Sequence, residues 1–157
     1  IQPLADSLLP AIVRLAEDRE WRVRLAIIKY MPLIAKQLGI EFFNEKISAL
    51  CLSWLGDPVY IIREAAADNI KHLIEVFGLD WAQTNIIPKV LTFYSHQNYL
   101  YRMTTLMAIS AFSSVVGNEV VESTLLPIVI RMAEDPVPNI RFNVAKTLQV
   151  LCGYLDE

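Results

Sequence analysis

Residues 18–24 read DREWRVR, and the same frame returns as DPVYIIR at 57–63, HQNYLYR at 96–102 and DPVPNIR at 135–141. The closing arginines, Arg24, Arg63, Arg102 and Arg141, stand 39 residues apart each time. A fixed period of this length marks an array of supersecondary units, each too small to bury its apolar side alone. Other columns keep the same phase. Asp18, Asp57, His96 and Asp135 precede the arginines by six residues, and Val23, Ile62, Tyr101 and Ile140 stand immediately before them. Gly39, Gly78, Gly117 and Asp156 follow each arginine by fifteen residues, while Pro10, Ala49, Pro88 and Pro127 precede it by fourteen.

Each unit reads as two helices. In the first, Leu8/Ile47/Ile86/Leu125, Ile12/Cys51/Val90/Val129 and Leu15/Trp54/Phe93/Met132 recur at spacings of four and three, a helical stripe. In the second, Met31/Ile70/Ile109/Leu148, Ile34/Leu73/Phe112/Leu151 and Leu38/Phe77/Val116/Leu155 do the same. The glycine column predicts left-handed C-caps after the second helix. The proline column predicts a bend in the first helix, because proline removes a donor and crowds the preceding turn. Asp57-Pro58 and Asp135-Pro136 punctuate the turn between the helices, since the residue before proline avoids the helical region. The expected fold is all-α, a right-handed α-solenoid of four antiparallel helix pairs in one array over 1–157, with units near 1–39, 40–78, 79–117 and 118–157.

Composition fits that fold. The 157 residues are 54% apolar and 20% charged, with five glycines. A net charge of −3 offers no basic footprint for a phosphate backbone, which argues against a nucleic-acid partner. Mean hydropathy is high at +0.37, yet Lys, Arg or Pro interrupts runs such as IIPKVLTFY and LLPIVIRMA well short of the ~20 residues that a membrane span needs. No membrane association is expected. No secretory leader pattern opens the chain. Both end units are as apolar as the middle two, and polar capping repeats are what a finished array needs. That and the initial Ile1 lead to the expectation of a fragment of a longer protein. Cys51 and Cys152 fall in apolar helical contexts without a CxxC partner and are expected to be buried free thiols of a reducing, intracellular compartment.

No catalytic constellation is legible. His72 lies on a second helix and His96 in a turn, and neither belongs to an HExxH or Cys/His motif, so no metal is expected. Phosphate-binding glycine loops and the GxSxG elbow are missing, and Glu17, Asp18 and Glu20 read as a solvated turn. Neither a cofactor nor an enzymatic activity is expected.

The period places every turn between the paired helices on one edge. Along that edge run Trp21 and Arg22, then Val59 and Tyr60, then Tyr99 and Leu100, then Val137 and Asn139. Trp, Tyr and Arg are enriched at binding hot spots, because they bury much area at low entropic cost and keep a polar handle. One such aromatic can equally fold back over its own helix pair. Three consecutive turns sharing the trait point to a partner surface. Trp54 and Phe93 belong to a core column, and Trp81 is expected to pack at the start of the third unit.

The period, the two-helix unit, the turn Asp, the apolar-Arg pair and the helix proline resemble HEAT repeats. More narrowly, WRVRLAI, IREAA, RMTTL and RFNVAK resemble the scaffold (A) subunits of protein phosphatase 2A, over about Leu8 to Leu151, at their C-terminal repeats. The resemblance implies a ladder in which Asp18, Asp57 and Asp135 meet Arg24, Arg63, Arg102 or Arg141 of the same or an adjacent repeat, with one rung in doubt at His96. It also implies a non-catalytic scaffold whose turns hold the phosphatase catalytic subunit through Trp21, Arg22, Tyr60, Tyr99, Leu100 and Val137. Regulatory B-type subunits would be received mainly by repeats outside this chain, in the cytoplasm and also the nucleus. His96 and Gln97 depart from the scaffold's acidic or Asp-Pro turn. A HEAT array of another class, a nuclear transport receptor or a chromosome-organising protein, would use the face formed by the second helices instead.

Overall fold

The computed structural model of the protein describes residues 2–155. Among these every regular element is helical. The first unit pairs α1 (Gln2–Ala16) with α2 (Trp21–Leu38). The second runs through α3 (Ile40–Phe42), a π turn (Phe43–Ile47), α4 (Ser48–Ser53) and a 3₁₀ turn (Trp54–Gly56) before α5 (Tyr60–Phe77). The third repeats this with α6 (Leu79–Trp81), a π turn (Ala82–Ile86), α7 (Ile87–Leu91), a 3₁₀ turn (Thr92–Ser95) and α8 (Tyr99–Val116). The fourth has α9 (Asn118–Val120), a π turn (Val121–Leu125), α10 (Leu126–Met132) and α11 (Pro138–Cys152). The second helices form one layer, in which α2 packs on α5, α5 on α8 and α8 on α11.

The loop from one unit to the next is a single glycine. Gly39, Gly78 and Gly117 have φ of 91, 96 and 87° with ψ near 160°, a region that only glycine enters without strain. This corrects the expected left-handed cap, whose ψ would be near 47°. The extended ψ lets one residue close two helices. The N–H groups of Gly39 and Gly78 end the preceding helix on Ala35 and Ile74 carbonyls, and the carbonyls of all three glycines accept from Phe43, Ala82 and Val121 in the next. Asp156, the fourth member of this column, lies outside the described residues.

In the second to fourth units a π turn interrupts the first helix, whereas α1 runs unbroken through Pro10. The π turns recur four residues after each glycine, closed by Ser48, Ile87 and Leu126 N–H groups bonding five residues back to Phe43, Ala82 and Val121. The second unit has this wide turn although Ala49, not proline, stands in the proline column. Pro88 and Pro127 sit at the start of the helix that follows, where the ladder is already broken and a missing N–H costs little. The extra residue resets the apolar stripe. Buried pairs step by five across the wide turn and by four after it: Phe42/Phe43, Ile47/Ser48, Cys51/Leu52, and likewise Trp81/Ala82, Ile86/Ile87, Val90/Leu91.

Two indole donors tie consecutive units. Trp54 donates from Nε1 to the Ala16 carbonyl at 3.1 Å. Trp81, at the start of the third unit, donates to Asn44 Oδ1 at 2.9 Å, with its ring edge-on to Phe43 and Phe77 at 5.8 and 4.8 Å. Cys51 is buried in this core, and burial pushes its thiol up to about 12, partly offset by the Asn69 amide. Cys152, expected to be buried, is exposed.

Candidate protein-binding edge

Each turn is built on the same arginine. The Nη1 groups of Arg24, Arg63, Arg102 and Arg141 donate to the carbonyls of Asp18, Asp57, His96 and Asp135, six residues earlier, at 2.7–2.8 Å. That bond closes the turn and fixes how the second helix leaves it. The side chain at the head of the turn then bonds within it: Asp18, Asp57 and Asp135 accept from the N–H groups of Glu20, Val59 and Val137, the residues that precede each second helix, at 2.8–2.9 Å. In the third turn His96 Nδ1 takes this role, accepting from Asn98 N–H at 3.0 Å. An unprotonated ring nitrogen here stands in for a carboxylate oxygen.

The outer edge of the guanidinium joins one unit to the next. Arg24 holds Asp57 through Nε–Oδ2 at 3.0 Å and Nη2–Oδ1 at 3.1 Å, and Arg102 holds Asp135 at 2.8 and 3.4 Å. Both rungs run from the arginine of one unit to the aspartate of the following one. The other ladder residues are not brought together. The column that would answer Arg63 holds His96, 33 residues on, and the buried Arg63 Nε has no partner among the described residues. The Asp18 carboxylate meets no arginine, and Arg141 meets no carboxylate, among the described residues.

Where the rung is missing, rings fill the layer. Tyr101 stands 4.2 Å from His96 and 5.0 Å from Phe93, centroid to centroid. Tyr101 replaces the aliphatic residue found in the other units, and a Cβ on Gly56 would overlap its ring. His96, Tyr101 and Gly56 are therefore one substitution spread over three columns. The signal is present in the sequence as three departures at the same junction, of which only the first points to a missing rung without coordinates.

The turn residues divide into two groups. Trp21, Val59 and Val137 are half-buried and pack on the core. Arg22 is exposed and stacks over the Trp21 ring at 4.4 Å, so the pair presents one amphipathic surface. Tyr60 and Tyr99 keep 56 and 46% of their surface in solvent, Asn139 is exposed and Leu100 is half-buried. Between them opens a groove of about 360 Å³, whose lining includes Tyr60, Tyr99, Leu100, Met103, Met107, Asn139 and Thr147. This continuation onto the second helices is not legible in the sequence, because it depends on how α5, α8 and α11 pack side by side. Arg63 and Lys146 lend the groove positive charge.

Chemistry is sparse elsewhere. Among the described residues no three His, Cys, Asp or Glu side chains gather as a metal site, and no helix is long and apolar enough to cross a membrane. His72 lies 3.8 Å from Glu75 on the exposed face of α5.

A model of the HEAT repeat matches residues 47–77 and 125–155, two stretches in the same phase of the 39-residue period. The chain is 60% identical over 70 residues to the regulatory A-type subunit of protein phosphatase PP2A from Schizosaccharomyces pombe, covering 45% of this chain and 12% of that protein. It is 52% identical over 87 residues to the protein of the same name from Saccharomyces cerevisiae, covering 54% and 14%. For the Pisum sativum protein of that name the figures are 56% over 56 residues, 35% and 14%. The matched stretches thus span about an eighth of these relatives' length.

Proposed function

The chain is an array of HEAT repeats related to the regulatory A-type subunits of protein phosphatase 2A, and from this premise we propose that it is a non-catalytic scaffold that binds the phosphatase catalytic subunit through its turns. The observation that carries the reading is the row of exposed Tyr60 and Tyr99 with the stacked Trp21–Arg22 pair on one edge. Each side chain is anchored by a turn that the arginine closes from inside, so little order remains to be imposed on binding. Geometry supplies the rest. Small rotations between stacked units add along an array, which suits a spacer that sets the distance between a catalytic and a regulatory partner. A B-type subunit belongs in this scheme to repeats outside the chain, and the setting is cytoplasmic and nuclear. Metals for phosphoester hydrolysis are assigned to the partner.

The test is binding of this chain to purified phosphatase 2A catalytic subunit, wild type beside Trp21→Ala/Arg22→Ala, with Glu119→Ala on the opposite edge as control. The double variant is expected to lose about 2 kcal/mol of affinity, roughly thirtyfold, with unchanged helical circular dichroism. Equal affinity for all three would reject the turn edge as the contact. No binding by the folded wild type would reject the partner.

A further inference from the structure

We propose that the groove beside the turn edge is a docking site for an acidic side chain, an Asp or Glu on an extended segment of a partner protein, whose carboxylate pairs with Arg63 and completes the rung that the array leaves open. The repeat provides the internal control. Arg24, Arg63 and Arg102 occupy one column, and each has a further unit stacked after it. At Arg24 and Arg102 the outer edge of the guanidinium, Nε and Nη2, holds an aspartate of that next unit at 2.8–3.4 Å. At Arg63 the aspartate's column holds His96, whose Nδ1 is spent within its own turn on Asn98 N–H.

Arg63 is thereby a carboxylate receptor without its carboxylate. Its Nη1 closes the turn on the Asp57 and Pro58 carbonyls at 2.8 and 3.1 Å, which holds the guanidinium in place. Nε is buried, Nη2 reaches solvent, and neither has a partner among the described residues. A guanidinium so fixed offers a planar fork that a carboxylate matches, and a half-buried one left alone is an uncompensated charge.

The surroundings favour the same ligand. Arg63 belongs to the lining of the groove of about 360 Å³, whose second cation is Lys146. No aspartate or glutamate lines it, although acidic residues outnumber basic ones in the chain, 17 to 14. Lys146 lies over the Phe142 ring at 4.9 Å, and neither cation meets a carboxylate among the described residues. Exposed Tyr60 and Tyr99 stand beside them, with Met103 and Met107, whose unbranched side chains adapt to irregular contours. Positive charge at the side of such a wall selects an acidic residue flanked by apolar ones. The chemistry of the docked segment is independent of which protein carries it, and an assay without phosphatase keeps the two readings apart.

The probe is a short peptide, acetylated and amidated, with one glutamate flanked by leucines, beside the same peptide with glutamine. Each is titrated into the isotope-labelled chain and followed by NMR. The glutamate peptide is expected to bind about tenfold tighter, the worth of one hydrogen bond to a charged group, and to shift the Arg63 Nε–H resonance. His96→Asp fills the open rung from within, and is expected to weaken the glutamate peptide about tenfold, to the level of the glutamine peptide. His96→Asn removes the same ring without adding a charge and is expected to leave the affinity unchanged. Circular dichroism checks that both variants fold. Equal affinity for the two peptides, binding of neither, a glutamate peptide indifferent to His96→Asp, an equal loss in His96→Asn, or a silent Arg63 resonance would each overturn the proposal.

Discussion

Replacing Asp57 by Ala isolates the inter-repeat rung. Asp57 and Arg24 are 9 and 12% exposed and share two hydrogen bonds at 3.0 and 3.1 Å. Removing one partner of a buried pair costs about 3–5 kcal/mol, because the other charge is left without compensation. Here Arg24 keeps its bonds to the Asp18 and Arg19 carbonyls, so the low end applies. Asp57 also accepts from Val59 N–H, as Asp18 does from Glu20 N–H, and losing such a turn bond costs about 1 kcal/mol. Asp57→Ala is therefore expected to lose about 4 kcal/mol and Asp18→Ala about 1 kcal/mol. Urea unfolding followed by circular dichroism measures both. A cycle with Arg24→Met is expected to show coupling of about 2 kcal/mol or more between positions 24 and 57. Raising salt is expected to change the coupling little, because the pair is shielded from solvent. Coupling below about 0.5 kcal/mol, or equal losses for the two aspartates, would refute the view that the rung holds the layers in register.

His96→Asp is expected to supply the missing rung to Arg63 and to stabilise the chain by about 1 kcal/mol after loss of the ring contact with Tyr101; a gain that survives Arg63→Met would sink this account. Gly56→Ala is expected to destabilise by about 2 kcal/mol, through overlap with the Tyr101 ring, and Tyr101→Ile is expected to relieve most of it; equal damage in both backgrounds would place the cause elsewhere. In the native state one thiol, Cys152, is expected to react with Ellman's reagent and Cys51 only on unfolding, so two fast thiols would contradict the burial of Cys51. Because burial raises Cys51 from 9.0 to about 12, the unfolded chain ionises it first as pH rises past 9. Wild type is accordingly expected to lose up to ~1.4 kcal/mol of stability per pH unit there relative to Cys51→Ala, and parallel pH profiles would argue against that shift.

The period, the two-helix unit and the shared turn edge are legible in the sequence because every unit solves the same packing problem, and a solution used four times leaves columns. Arg24, Arg63, Arg102 and Arg141 align without coordinates for that reason. What breaks the period is legible only as departure: His96, Tyr101 and Gly56 lie far apart in the chain, and only their meeting at one junction shows that a ring cluster replaces an ion pair. The wide π turn is hidden because hydrophobic columns read at steps of three and four pass over a step of five, so the bend falls by default to Pro10, Pro88 and Pro127. Exposure is the least legible quantity. Leu8 and Ile47, or Ile74 and Cys152, occupy equivalent columns, and whether each is buried depends on whether a neighbouring unit lies against it. Periodicity alone sets the face that each unit must cover. Which faces are covered, and which of Asp18, Arg63 and Arg141 meet no opposite charge among the described residues, is decided by the stacking of the units in space.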